Sequence, residues 1–235
     1  MPTPLDILFR DEHLVAVRKP SGMAVHRSDQ VQDHRPALQT LRNQLRQWVY
    51  PVHRLDRGTS GVLLFALDPD TAAAVGRQLT ERQVDKRYLA VVRGYAPEDL
   101  EIDYALREDK QQTAKPAQST LRRLGTVELP IPVGRYPQAR YSLVELQPHT
   151  GRSRQLRKHM AHIRHPIAGD VSHGEGRHNR LFREHFGVHR LLLHAHRLEL
   201  THPHGGEPLH IEAPVGDELR RLFDALGWNN LPAAR

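Results

Sequence analysis

The run VLLFAL, residues 62–67, follows directly on HRLDRGTSG, residues 53–61, and together they restrict the fold more than any other stretch. Six consecutive apolar residues after a glycine-containing turn read as a buried strand. The segment before them sets one carboxylate, Asp56, between two guanidiniums, Arg54 and Arg57. A surface loop seldom needs that pattern, and charge taken into an interior without partners is costly.

Around this strand the chain alternates short apolar runs with helical spacing. ILFR and LVAVRK predict a hairpin turning at DEH, and the Pro-Ser-Gly of KPSGMAVH ends the second strand. SDQVQDHRP reads as a polar, mobile loop. In ALQTLRNQLRQWV the apolar residues Leu38, Leu41, Leu45, Trp48 and Val49 recur at helical spacing. A second helix is expected from Pro69 to about Gln83, then a strand at YLAVVRG and an irregular crossover over 96–118. RYSLVELQP is strand-like, and GRSRQLRKHMAHIRH reads as a basic helix ended by Pro166. Residues 169–189 read as loop, RLLLHAHRLEL and PLHIEAP as a hairpin around HPHGGE, and DELRRLFDAL as a closing helix. The pattern predicts an α+β fold, a mixed and largely antiparallel sheet flanked by helices and loops.

Among 235 residues there is no cysteine, so neither disulfides nor thiolate metal centres are expected. MPTPLDILFRDEH lacks the basic start and apolar stretch of a signal peptide, and the apolar runs are too short to cross a bilayer. A cytoplasmic location without membrane attachment is the expectation. The net charge is +7, yet residues 135–197 alone hold 12 Lys/Arg against 4 Asp/Glu, together with 10 of the 17 histidines. The remaining residues are nearly neutral, so the excess sits in one segment and points to a polyanion partner, most simply nucleic acid.

Four places could carry chemistry. Asp56 between arginines should stay ionised and could act as nucleophile or base. Equally, it could anchor a turn with Thr59 or Ser60. Tyr88 in KRYLAVVRG is either a core tyrosine or a phenol that stacks on a base. In TGRSRQLRKH, Arg154, Arg157 and Lys158 fall at i, i+3 and i+4, a face that could grip phosphates, pair with Asp56 or simply be solvated. His159, His162 and His165 raise the question of zinc, but their spacing drifts around a helix, so no metal site is expected.

Taken in order, these segments resemble the RluA-type pseudouridine synthases. KPSGMAVH is similar to that family's first motif, and HRLDRGTSGVLLFA fits its HRLDxxTSGxxxxA signature. KRYLAVVRG resembles the tyrosine-bearing segment, TGRSRQLRKHMAHIRHPIAGD the third motif and RLLLHAHRLELTHP the closing hairpin. GRYPQARY, HMAHIRHPIAGDVSHG and EHFGVHRLLLHA resemble the branch that modifies uridine 65 of tRNA, including His173 where many relatives carry Tyr. Arg154 stands where the family usually has His.

The resemblance implies the pseudouridine synthase fold in a single catalytic domain, residues 1–235, without a separate N-terminal RNA-binding domain. It implies isomerisation of uridine to pseudouridine, with Asp56 as catalytic aspartate, either nucleophile at C1′ or base towards a glycal intermediate. Arg157 becomes its ion-pair partner, Tyr88 the group stacked on uracil, and Arg54 the side chain inserted where the base has left its stack. Arg57, Arg152, Arg154 and Lys158 are expected on RNA. No cofactor and no obligate protein partner is implied, and a monomer is the default. The competing readings are the same chemistry on ribosomal RNA, a non-catalytic RNA-binding protein, and a metal-dependent nuclease using the histidines with Asp170.

Overall fold

The computed structural model describes residues 3–26, 35–107 and 113–228. Residues 28–34 of the loop expected at SDQVQDHRP lie outside them. In chain order the elements are β1 (Asp6–Arg10), β2 (Leu14–Lys19), α1 (Ala37–Leu45), β3 (Tyr50–Pro51), β4 (Ser60–Ala66) and α2 (Pro69–Thr80). There follow β5 (Asp85–Arg93), β6 (Asp99–Asp103), β7 (Gln118–Leu129), β8 (Ala139–Pro148), α3 (Gln155–His162), α4 (Gly176–Phe186), β9 (Leu193–Thr201), β10 (Pro208–Glu212) and α5 (Asp217–Ala225). The chain is α+β, as its alternation of elements predicts. It divides into two compact units, Met1–Lys86 with Ala195–Pro214, and Arg87–His194 with Val215–Arg235.

In the first unit the strand order is β1-β2-β4-β9, with β10 on β9 and β3 on β4. The expected β1–β2 hairpin forms, its turn closed by Asp11, whose Oδ1 accepts from the N–H groups of His13 and Leu14 at 2.7 and 2.6 Å. β2 pairs antiparallel with β4 from Leu14↔Ala66 to Lys19↔Gly61, and all seven β4 residues are buried. Leu14, Ala16, Val62, Leu64, Ala66 and Val75 pack together with residues of β9 and β10. Asp68 starts α2 by accepting from the Thr71 N–H at 2.8 Å, with Pro69 at the first helical position, where a missing N–H costs nothing. α1 stops at Leu45, short of Trp48, because Arg46 turns left-handed.

The second unit has strand order β5-β8-β7-β6. β7 and β8 form a long antiparallel hairpin, Ser119↔Pro148 to Leu129↔Ala139, with an irregularity between Arg123 and Gly125. β5 runs antiparallel to β8, Tyr88 lying opposite Leu146. Beneath them Leu143, Leu146, Met160, Ile167, Phe182 and Phe223 share one core. Glu145 is carried into this sheet at 2% exposure with the guanidiniums of Arg87 and Arg122 on the same carboxylate oxygen, at 3.3 and 3.1 Å. Double pairing offsets the cost of burying that charge.

Three expectations fail here, each for a local reason. Residues 169–189 are not all loop, since α4 spans Gly176–Phe186. Its clustered Gly, His and Arg mask an amphipathic helix that buries Asn179, Leu181 and Phe182 and ends at a left-handed Gly187. The crossover over 96–118 contains β6, a strand with only Ile102 buried and so no alternation to read. The basic helix is shorter than the breaker-free stretch suggested. Arg154 is left-handed at the N-cap of α3, and the helix ends at His162. No helix among the described residues is long and apolar enough to cross a membrane.

Two glycines test this packing. Gly61 has φ +118°, and a Cβ there would overlap the Ala195 carbonyl of β9, whereas Gly76 in α2 has nothing within 4 Å. Gly61→Ala is expected to cost about 3 kcal/mol or more, and Gly76→Ala to gain about 0.8 kcal/mol. Urea unfolding of the two variants beside wild type measures both. Equal midpoints for the pair would contradict the packing.

Candidate active site

The loop bearing Asp56 is built by a buried lysine. Lys19 closes β2 at 0% exposure, and its ammonium donates to the carbonyls of Pro20, Met23 and Arg57 at 2.9, 2.7 and 3.2 Å. An ammonium has three N–H bonds and no acceptor, so three carbonyls match its donors. The first motif is thereby tied to the second. Further links join the same segments: Ser21 Oγ donates to Gly58 O at 2.7 Å, Gly22 N–H to Arg57 O at 2.8 Å, and Arg57 Nε to Gly22 O at 2.8 Å.

Within this clamp the loop folds tightly. The Thr59 N–H donates to the Asp56 carbonyl at 3.0 Å, and Leu55, Thr59 and Ser60 are buried. Asp56 is half-buried, while Arg54 and Arg57 on either side are exposed. His53 accepts the Leu64 N–H on Nε2 at 3.0 Å. Burial, reinforced by the Lys86 ammonium, pushes its pKa down to about 4, so it is a neutral acceptor at physiological pH. The charged loop is thus bolted to β4 through His53 and to β2 through Lys19, a stiff mount for one carboxylate.

The second unit holds the other expected residues. Tyr88 is half-buried on β5 and packs against the edge of that unit's core. α3 is pinned at its start by Gln155, whose Oε1 accepts from Thr150 Oγ1 and the Arg152 N–H at 2.7 and 3.0 Å. Its Nε2 donates to Gln118 O and Ser119 Oγ at 2.8 and 2.9 Å.

Two residues on from this anchor, Arg157 is buried. Its Nε and Nη2 grip both oxygens of Asp170 at 2.7 and 2.8 Å. Burial alone would raise the Asp170 pKa. Arg157 and the N–H groups of His173 and Ser172 outweigh it and hold the carboxyl below its ordinary value.

This geometry corrects the reading of one shared basic face. Arg154 lies outside the helix and is exposed, Arg157 is buried in the Asp170 pair, and Lys158 reaches back to Arg107 O at 2.6 Å. Arg152 is half-buried with Nε on Pro116 O at 3.1 Å. Lys19, His53 and Gln155 have no place in the site read from sequence, and Asp170 enters that reading only as a partner of the histidines in the rival nuclease. A lysine ending a buried apolar strand is the one signal that marks any of them.

The three histidines of HMAHIRH do not converge. His159 bonds Ser119 and the Tyr104 carbonyl at 3.1 and 3.0 Å, His162 stacks on Tyr104 at 3.5 Å, and His165 meets Arg93 O at 2.8 Å. In the first unit, by contrast, His13, Asp68 and His204 bring one donor atom each to within 4.8 Å of one another. Those two imidazoles stack face to face at 3.6 Å, and His204 shares the Thr71 hydroxyl with Asp68.

Residues 13–162 match the family model described as RNA pseudouridylate synthase. The chain is 48% identical over 240 residues to tRNA pseudouridine synthase C of Pectobacterium carotovorum subsp. carotovorum, covering 97% of this chain and 64% of that one. It is 45% identical over 240 residues to tRNA pseudouridine synthase C of Vibrio parahaemolyticus serotype O3:K6, covering 97% of each. Among solved structures, human RNA pseudouridylate synthase domain containing 1 superposes with a TM-score of 0.71 at 26% identity, over 97% of both chains.

Two predictions follow from the charges. Asp170→Asn removes the charge of the carboxylate that accepts from both Nε and Nη2 of the buried Arg157 guanidinium and should cost about 3 to 5 kcal/mol in urea unfolding. A cost below about 1 kcal/mol would mean that the pair is dispensable. The second concerns pH. Both His53 and His178 are depressed to about 4 from an ordinary value of 6.5, chiefly by burial. Between pH 6.5 and 4 the unfolded chain binds protons that the folded chain refuses. Stability is therefore full above that window and falls with pH through it, by up to about 1.4 kcal/mol per unit for each histidine. His53→Gln keeps an acceptor for Leu64 and should flatten the decline seen in unfolding midpoints. An unchanged slope would count against a neutral His53.

Proposed function

The chain belongs to the RNA pseudouridylate synthase family, and on that premise we propose that it isomerises uridine to pseudouridine in tRNA, at uridine 65. The observation that carries the tRNA reading is the Vibrio relative, named tRNA pseudouridine synthase C and matched over 97% of both chains. The Pectobacterium relative is longer, this chain spanning 64% of it.

The reaction breaks the bond from ribose C1′ to uracil N1, turns the base and joins C1′ to C5. N1 gains a proton and C5 loses one, so no electrons are exchanged. Asp56 is assigned the step at C1′, as nucleophile or as base towards a glycal. Tyr88 is assigned to stack on the uracil and take the C5 proton, and Arg157 to support the charge of Asp56. The rigid mounting of the Asp56 loop favours such a role, because a carboxylate held in place needs little reorganisation as charge develops on the sugar.

The target base must leave its stack, which costs a few kcal/mol, and Arg54 is assigned the vacated position. Its exposure at the rim of the loop suits that use. Arg57, Arg152, Arg154 and Lys158 are assigned to RNA phosphates, which makes binding weaken as salt rises. We read the two units as one catalytic domain that works as a monomer in the cytoplasm, with no obligate protein partner.

tRNA carrying tritium at uracil C5 tests this directly. Wild type should release tritium in EDTA and Asp56→Ala should not. Release by both, or by neither despite tight tRNA binding, would refute the assignment. Arg157→Ala should lower the single-turnover rate at least 100-fold more than Arg152→Ala, on the order of 3 kcal/mol of lost stabilisation. Similar rates would remove Arg157 from its role.

A further inference from the structure

At the far end of β4 from Asp56 the first unit leaves a tryptophan in solvent. Trp48 is 67% exposed, while the chain's other tryptophan, Trp228, is 5% exposed. Single exposed apolar residues need no explanation, but this ring is set in place. The Arg42 guanidinium lies 4.2 Å from the ring centroid, and its Nη2 donates to Val49 O at 3.1 Å. Arg46, left-handed at the end of α1, breaks the helix just before the ring. The indole is held against a cation that is itself tied to the backbone.

Trp48 also lines a surface cavity of about 530 Å³, with Arg10, Asp11, Glu12, Gln47 and Leu67 as the other walls. That volume lies within the range of small-molecule sites. Arg42 is not among the walls, so the guanidinium occupies one part of the ring and the cavity another. The lining combines a stacking surface, an amide, two carboxylates and one cation. Asp11 is fixed by its bonds to His13 and Leu14, and His202 Nε2 lies 2.9 Å from its second oxygen. Glu12 and Gln47 are exposed at the rim.

We propose that this cavity is an accessory RNA-binding site that takes one unstacked base bearing an exocyclic amine, cytosine in preference to uracil. The base stacks on Trp48, its amino group donates to the carboxylate rim, and Arg10 meets the neighbouring phosphate. At ring position 4 uracil presents a carbonyl oxygen where cytosine presents an amino donor, so a carboxylate facing that position discriminates against it. Stacking on an aromatic face is the usual way that a protein holds a base outside a helix. β4 has seven residues, so its ends stand roughly 20 Å apart, and the cavity lies at the Leu67 end while the Asp56 loop enters at the Ser60 end, which separates it from the pocket of the reacting uridine. The inference rests on RNA being the substrate.

The experiment uses the contrast between the two tryptophans. Full-length protein is titrated with hexacytidylate, hexauridylate and inorganic phosphate while fluorescence is followed, and KM for tRNA is measured in parallel. Hexacytidylate should quench the exposed emission, hexauridylate at least ten-fold less tightly, and phosphate not at all. Trp48→Phe, with the ring kept but the emitter gone, should lose the quench. Trp48→Leu should raise KM roughly 5- to 150-fold, the stacking worth of one base, with Trp48→Phe between it and wild type. Equal quenching by both oligonucleotides, quenching by phosphate, no quenching, or an unchanged KM in Trp48→Leu would each overturn the proposal. The titration needs no turnover. Quenching without pseudouridine formation would sink the catalytic reading alone, and turnover without quenching would sink this one alone.

Discussion

The ammonium of Lys19 is the interaction on which the first unit depends. A lysine with no exposed surface is tolerated because its three donors meet three carbonyls, and one of those carbonyls belongs to Arg57. The buried charge converts two segments separated in sequence, KPSGM and HRLDRG, into one rigid piece. Apolar contacts could not do this with the same precision of direction, since they are indifferent to orientation. Loss of the lysine would also take a donor from the carbonyls of Pro20 and Met23 and leave the Arg57 carbonyl with the Gly22 N–H, which is why the penalty falls on the loop rather than on the strand.

A comparable device orders the second unit. Arg157 and Asp170 form a two-pronged pair in which both planar groups are buried and neither can rotate without losing bonds. Gln155, two residues earlier, fixes the helix itself to β7. The guanidinium is therefore held from its own backbone and from its counter-ion. The peptide N–H groups of Ser172 and His173 complete the carboxylate's shell, so position 173 contributes through its backbone whichever side chain it carries. The His173 ring adds something different: its Nε2 is buried and has no hydrogen-bond partner.

Much of the fold was legible in the chain. The β1–β2 and β9–β10 hairpins, β4, α1, α2 and α5 follow from apolar periodicity and from Pro, Gly and Asp at their ends. Periodicity failed where burial was one-sided or weak. β6 buries one residue, the alternation of β7 is broken at Arg123 to Gly125, and α4 hides its apolar stripe among arginines and histidines. The residues proposed for catalysis were named through resemblance to a family, not through spacing. Those that mount them were not legible, because a hydrogen bond from Lys19 to a carbonyl 38 positions away leaves no local mark. Only the buried strand that Lys19 terminates hints at it.

The first unit is assembled from two separated stretches of chain, and this bears on how the protein is made. β4 lies between β2 and β9, and β9 belongs to a part of the chain that leaves the ribosome roughly 130 residues later. At ordinary synthesis rates of about 5 to 20 residues per second, the most apolar strand has the part of one edge that β3 does not cover bare for roughly 6 to 26 seconds. An edge of that kind is a template for pairing with another chain. The nascent protein thus has a defined interval of vulnerability to aggregation, and the arrival of β9 ends it.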